Sequence, residues 1–518
     1  MKTKKLLSVA VSSLLVASSL VGTLGLSACG GGSDANTIRY IAYSGGGALD
    51  DSYRIVKKVD EIVYEKLGFH VDIEYVGYNT YAEKLGLYMD SAEDFDMCYS
   101  GSLLSGLTYS NRAANGYFAD ITKALPEHAP ELYASMSEQV WEAAKVDGKI
   151  YGVINEQMFA RTTGVAIDKE IAAELGLTQE KIDEEGLTYQ DVIKQAMNHI
   201  QNDPTISPDT DGDGKGNVPS TTLVIGNVWD DIYMQTYGLD ALGMDSYYPG
   251  LIEAADGKTT VFNQYESDYF KEMADFCREM HENGWIAKSQ ATVPITSNQR
   301  VRVVGCYYPD VAENTLYTSI GREFEIFKFG TPLMTTVNVT SSMTAIYARS
   351  KKVDKCLKFL NLLYTDKDLY NLLAIGEEDL EYKWNTGYDE NDQQYDYISM
   401  IKTSKYKPYA DWAFGSELNT YRKRGYAEDW AQKIRDFNNS ATFSPAYGFT
   451  YVPAYSMKAN LDNCYMIANE YITKWTNGTF NSAKTNQELI DEMNGKMSSY
   501  VNQILTTKQS QLDAFLAK

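Results

Sequence analysis

Thr37-Ile38-Arg39-Tyr40-Ile41-Ala42-Tyr43, followed by Ser44-Gly45-Gly46-Gly47, is dense in β-branched and aromatic residues and then breaks into a turn. It reads as a first strand running into a tight loop. From Ser52 to Leu67 the apolar residues Ile55, Val59, Ile62 and Val63 recur at helical spacing, and Gly68 stops the helix. Val71 to Val76 alternates as a second strand, Tyr81 to Met89 is helical again, and Phe95 to Tyr99 is a short third strand. This β-α-β-α-β order predicts a parallel sheet with helices on its faces, an α/β fold. Such sheets bind ligands outside the carboxyl ends of their strands. The turns after Tyr43 and Tyr99 are therefore expected on a binding face.

Upstream of that strand the chain is of another kind. Lys2, Lys4 and Lys5 precede an apolar run from Leu6 to Leu26, which ends in Leu26-Ser27-Ala28-Cys29 and the polar Gly30-Gly31-Gly32-Ser33. A basic start, an apolar middle and small residues before a cut describe a secretory signal peptide, 1–28. The cysteine at the cut resembles a bacterial lipobox, in which the thiol is lipidated and becomes the first residue of the mature protein. Cys29 is then the anchor, 29–37 a flexible tether, and the protein is expected on the extracellular face of the cell membrane, lipid-anchored. No later stretch has the length of apolar run that a transmembrane helix needs.

The chain beyond Cys29 is too long for one hydrophobic core, so two lobes are expected. The formal net charge of −23 argues against nucleic acid, whose backbone demands a basic surface. Cys98, Cys277, Cys306, Cys356 and Cys464 lie far apart, and their spacing selects no disulfide; buried thiols are the simpler reading. With 40 Tyr against 17 Phe, aromatic rings carry far more hydroxyls than a core requires. An apolar face with a polar tip suits surfaces that hold sugars.

Asp147-Gly148 marks a hairpin. Beyond it lie helical stretches (Thr188 to Gln201, Glu266 to Asn283), a polar loop at 202–220 and a strand at Val301 to Gly305. An apolar, β-rich crossover at Val337 to Tyr347 leads to a helix over Asp354 to Tyr364, and Thr365-x-x-Asp368 is expected to cap the next helix. The C-terminal third is helical. Leu461, Cys464, Tyr465, Ala468, Tyr471, Ile472 and Trp475 share a face, and Thr485-x-x-Glu488 opens a long final helix.

The sharpest chemical motif is Asp209-x-Asp211-x-Asp213-Gly214-Lys215-x-Asn217. Acidic oxygens at loop positions one, three and five with glycine at six resemble the start of an EF-hand calcium loop. The Lys215 carbonyl and the Asn217 side chain would complete the set around a structural Ca2+. The departure is at position twelve, where Ser220 stands in place of Glu. Signals for catalysis are weak: four His in no metal spacing, no nucleophile elbow, no phosphate loop and no dinucleotide fingerprint. Asp50-Asp51 are adjacent and point apart, unlike the facing carboxylates of a glycosidase. Trp229-Asp230, Tyr247-Tyr248, Tyr307-Tyr308 and Trp412 lie in or beside glycine-containing loops. Together they supply flat faces on which pyranose C–H groups stack.

These segments resemble the family 1 extracellular solute-binding lipoproteins of ABC importers, of the LipO-like kind. The resemblance is carried by Gly116-Tyr-Phe-Ala-Asp120-Ile-Thr and Asp147-Gly-Lys-Ile-Tyr-Gly152, and most specifically by C-terminal motifs. Those are Trp412-Ala-Phe-Gly415-x-x-x-Asn419-x-Tyr421, Phe437-Asn438, Ser444-Pro-Ala-Tyr-Gly-Phe449 and Gln509-x-Gln511-Leu512, similar to the uncharacterised C-terminal domain of that subgroup. The loop at 209–217 is similar to the calcium loop of alginate-oligosaccharide-binding relatives. The resemblance implies a two-lobed type II periplasmic-binding fold with a hinge, and it leaves the ligand unnamed.

On this reading lobe 1 comprises 38–165 and 339–395, and lobe 2 comprises 166–338. A helical region, 396–518, completes lobe 2, with hinge segments near Thr163–Ile167, Val337–Tyr347 and Glu390–Ile401. A neutral oligosaccharide binds between the lobes, closes them by population shift and is handed to a permease. Tyr43, Tyr99, Asn155, Glu156, Trp229, Tyr247, Tyr307, Tyr308 and Trp412 are the candidate contacts, chosen from strand ends and crossovers. No bond is made or broken, and a monomer is expected. A peptide or other small-solute receptor on the same fold, or a secreted glycan-active enzyme, are the alternatives.

Overall fold

Strand β1 (Thr37–Ser44) pairs in parallel with β2 (His70–Gly77), residue for residue from Thr37↔His70 to Ser44↔Gly77. Thr37, expected at the end of the tether, is thus already in the sheet. Helix α1 (Ser52–Leu67) joins the two strands and buries Ile55, Val59 and Val63, one residue per turn on one face. Gly68 ends it at φ 75°, its N–H bonded to the Tyr64 carbonyl. Helix α2 (Tyr78–Ser91) leads to β3 (Met97–Ser100), which pairs in parallel with β1. The strand Met343–Ile346 then runs antiparallel between β3 and Gly152–Ile154 to complete a five-stranded sheet. The computed structural model describes residues 35–47, 49–101, 108–225, 229, 232–286, 297–305, 316–317, 319–388 and 393–518. Cys29, Cys306, Tyr307 and Tyr308 lie outside them.

A second five-stranded sheet has the order Thr442–Phe443, Phe324–Met334, Arg161–Asp168, Val301–Gly305, Leu223–Val224. The two sheets belong to two hydrophobic cores. The first gathers Ile38 to Ala160 and Met334 to Ala441; the second gathers Val165 to Leu333 and Ala446 to Leu512. Two lobes result. The chain passes between them at 161–164, at Leu333–Met334 and at 441–446. The three passages are neighbours, since Leu333 pairs with both Arg161 and Thr442.

The last passage is not where the sequence pattern placed it. Gln394–Met400, within the expected Glu390–Ile401 hinge, pairs with Tyr382–Tyr388 as an antiparallel hairpin, and Ile398 is buried in the first core. Two alternating stretches so close together satisfy each other's backbone groups locally. Tyr406, Ala410, Ala413, Phe414 and Ala441 also join the first core, while Leu418, Tyr426, Trp430 and Ile434 form a small cluster of their own and Arg424 reaches Glu323 of the second lobe at 3.3 Å. Thr365 is likewise the last residue of its own helix. The next one, Lys367–Ala374, is capped by Asp366, which accepts from the Leu369 N–H.

Thr485 and Glu488 form the expected capping box on the helix Asn486–Leu516, which buries Leu489, Met493, Met497, Val501, Ile504 and Leu512. Cys98, Cys277, Cys356 and Cys464 are buried thiols. No helix among the described residues is long and apolar enough to cross a membrane.

Candidate functional site

The passages between lobes locate the binding edge. Met343, first residue of its strand, lies opposite Ser100 at the carboxyl end of β3 and opposite Ile154, after which the chain leaves for the second lobe. Across the passage, Gly305 ends its strand opposite Thr163, close to where the chain enters. The carboxyl ends of parallel strands in both lobes therefore point toward the crossings, as an interlobe site requires.

At this edge the first lobe carries an aromatic cluster. The Tyr43 ring centroid lies 4.9 Å from Tyr99, 5.4 Å from Trp412, 5.5 Å from Tyr81 and 6.3 Å from Tyr78. Tyr99 and Tyr81 are fully buried. Tyr99 donates its hydroxyl to the Ser341 carbonyl and Tyr81 donates to the Ile41 carbonyl, so both support the others from beneath. Trp412 is half-buried, and Tyr78 is 61% exposed. Sequence reasoning misses Tyr78, although it comes directly after β2 just as the chosen turns come after β1 and β3. It also misses Tyr409, which is 60% exposed on the segment leading to Trp412.

The glycine turn after β1 holds that segment in place. Gly45 donates its N–H to the Pro408 carbonyl at 2.8 Å. A Cβ on Gly45 would stand 2.3 Å from the Tyr409 carbonyl oxygen, and one on Gly47 would stand 1.8 Å from that of Lys407. Only glycine permits so close an approach of two backbones. From the other side, Ser342 Oγ donates to the Trp412 carbonyl at 2.7 Å. Asn155 Nδ2 donates to Ser342 Oγ at 3.0 Å and to the Ala413 carbonyl at 2.9 Å. Asn155 is fully buried, and its side-chain amide braces the backbone on either side of Trp412.

Glu156 is also spoken for. Its carboxylate accepts from Arg435 Nε at 2.9 Å and Nη2 at 3.2 Å, and from Ser416 Oγ at 2.6 Å, with the residue only 3% exposed. Asn438 adds a clamp beside it, its Oδ1 accepting from the Phe159 and Ala160 N–H groups just before the first crossing. Next to Trp412 in sequence, the Asp411 carboxylate lies 3.4 Å from Lys423 Nζ. The Glu417 carboxyl is raised by burial and by the Asp411 charge, with Lys423 opposing.

Two expected contacts belong elsewhere. Trp229 is 3% exposed and packs 4.8 Å from Phe270 and 6.0 Å from Trp475, inside the second core. Its place beside glycine in sequence concealed a packing role. Tyr247 rests its ring 5.7 Å from Tyr465, and its carbonyl accepts from Tyr265, in the helical layer of the second lobe. The Tyr307 and Tyr308 expectation falls outside the described residues.

The acidic loop brings Asp209, Asp211 and Asp213 together, with one carboxylate oxygen of each within 4.8 Å of the others and all three exposed. Gly214 takes φ 86° at the turn. Those three fit a hard cation. Asn217 is placed differently: its Oδ1 accepts from the Thr210 N–H and hydroxyl, and its Nδ2 donates to Asp211 Oδ2. Lys215 donates its N–H to Asp213 Oδ1. Both brace the loop.

No protein-family model matches the chain. A carbohydrate ABC transporter substrate-binding protein of Streptococcus pneumoniae serotype 4 is 23% identical over 481 residues, 92% of this chain and 90% of that protein. Among solved structures, the N-glycan transport solute binding protein NgtS of Streptococcus pneumoniae matches with a TM-score of 0.74 at 22% identity, covering 93% of this chain and 99% of that one. The same protein in complex with Man5GlcNAc matches at 0.66 with 21% identity, covering 93% and 98%. The fold is that of two-lobed solute-binding proteins.

Proposed function

We propose that this chain is the substrate-binding receptor of a carbohydrate ABC importer, taking a neutral oligosaccharide between its lobes. One observation carries the reading: the exposed Tyr78 and the half-buried Trp412 flank the buried Tyr43 at the carboxyl edge of the first sheet. Aromatic faces stack on the apolar faces of sugar rings, and rings held in place from beneath lose little entropy on binding. The similarity to NgtS, whose complex holds Man5GlcNAc, supports that glycan as the first ligand to test.

Contact with both lobes at once gives the ligand its preference for the closed state, and binding then shifts the population toward closure. Arg435 with Glu156, and Asn438 with Phe159, hold the chain at the passages while the lobes move. The ligand is released unaltered.

The anchor belongs to the same reading. Lipid on Cys29 would keep the receptor beside its permease and raise the effective concentration there. The expected result of metabolic labelling with a clickable fatty acid is incorporation that Cys29→Ser abolishes.

The receptor reading is tested by titrating the purified chain with Man5GlcNAc, shorter neutral oligosaccharides and short peptides, following tryptophan fluorescence. Saturation with a glycan and no product over hours is expected. Saturation with peptides alone, or appearance of a cleaved glycan, overturns it.

A further inference from the structure

Helix α3 (Tyr109–Ala114) carries an arginine in an unusual position. Arg112 is 3% exposed. Its Nη1 lies 2.9 Å from Met89 Sδ, a weak acceptor. Its Nε and Nη2 are shut off from solvent and have no hydrogen-bond partner among the described residues. Burial without an ion pair holds this guanidinium below the usual arginine range, with Cys98, Tyr81, Tyr117 and Asp90 opposing that shift. An isolated buried charge is costly, and native proteins pair it.

The same side chain lines a cavity of about 460 Å³, with Gly86, Met89, Asp90, Asn111, Asn115 and Tyr117. Helix α2 starts at the binding edge, directly after Gly77, and runs back across the lobe to Ser91, ahead of β3. Gly86 to Asp90 therefore lie toward the far end of the lobe from the aromatic cluster. The cavity is separate from the carbohydrate site and does not depend on that assignment.

We propose that this cavity is a second binding site, for a small oxyanion (a carboxylate or phosphate group), with Arg112 as its anchor. A guanidinium offers a planar fork of donors matched to two oxygens of such a group. The Met89 thioether, flexible and weakly bonded, is the part that yields. Asn111 and Asn115 line the cavity, Asn115 Nδ2 donating to the Asn111 carbonyl at 2.7 Å, and Asp90 disfavours anions of higher charge.

The test titrates the purified chain with sodium acetate and with inorganic phosphate at constant ionic strength, read by melting temperature and calorimetry. A saturable response to at least one of them is expected, weakened at least about tenfold in Arg112→Met. Acetate alone identifies a carboxylate site, and phosphate a phosphate site. Asn111→Asp adds a carboxylate to the cavity lining and is expected to weaken the response at least about tenfold in a folded protein, which decides the matter should Arg112→Met fail to fold. The far-UV circular dichroism spectrum is the control and stays constant in both variants. No saturable response in the wild-type chain, as when Asp90 itself satisfies Arg112, overturns the proposal. So does an equal response in the variants, which would mark general salt stabilisation.

Discussion

Asn155 Nδ2 donates a hydrogen bond to the carbonyl of Ala413, 258 residues further along the chain, at 2.9 Å. The same amide reaches Ser342 Oγ, and its Oδ1 accepts from Thr344 Oγ1 at 3.1 Å. The orientation of Trp412 thus depends on a polar network in which each buried group is satisfied. Replacing Asn155 with Leu keeps the branched shape and leaves those partners unpaired. A loss of about 1–3 kcal/mol in urea unfolding is expected, together with weaker glycan binding.

Trp412→Ala separates the two effects. Its ring is half-buried, so unfolding shifts little, whereas glycan affinity measured by calorimetry falls about tenfold. Unchanged affinity would remove Trp412 from the site.

Trp229→Ala gives the opposite pattern. A fully packed indole beside Phe270 and Trp475 leaves a large cavity, and a loss of about 3–5 kcal/mol is expected. Whatever protein remains folded binds glycan with wild-type affinity. A selective loss of binding would return Trp229 to the site.

Lys508 predicts a pH dependence. It is fully buried, its Nζ donates to the Gly250 carbonyl at 2.9 Å, and burial pushes its ammonium down to about 7, with the Asp240 carboxylate opposing. The unfolded lysine titrates near 10.4, so between roughly pH 7 and 10 the unfolded chain binds the extra proton. Stability is therefore expected to rise with pH across that window. Urea midpoints at pH 7, 8 and 9 measure the slope, and Lys508→Met flattens it.

The loop at 209–217 predicts calcium binding of extracellular-module strength, a Kd on the order of 10⁻⁴–10⁻³ M. Calcium titrated into EDTA-treated protein should raise the melting temperature saturably, and Asp211→Asn should remove most of that rise. Identical melting with calcium and with EDTA would leave the loop an acidic turn braced by Asn217.

How much of this was legible varies with the range of the interactions. The segment from β1 to β3 could be read nearly element by element, because its periodicity and its stop at Gly68 are local signals. The Asp147-Gly148 turn was equally plain, both residues taking positive φ between paired strands. The last interlobe passage was not, because Gln394–Met400 looks the same whether its partner is a neighbouring strand or another lobe. Tyr43, Tyr99 and Trp412 were brought together as a set, but the sequence could not rank their exposure: Tyr43 and Tyr99 are both buried, and of the three only Trp412 is partly exposed. Asn155 and Glu156 were correctly placed at a strand end. Their partners lie hundreds of residues away, and those partners turn candidate contacts into supports.

The three passages between the lobes also govern the order in which the protein can be built. The second core joins Val165, made early, to Met493, Met497, Ile504 and Leu512, made last. The first core likewise waits for Phe414 and Ala441. A growing chain therefore carries open apolar faces until its final helix has emerged. The same arrangement makes the C-terminus the wrong end to shorten. Removing the last helix would leave the second lobe without the residues that close its core.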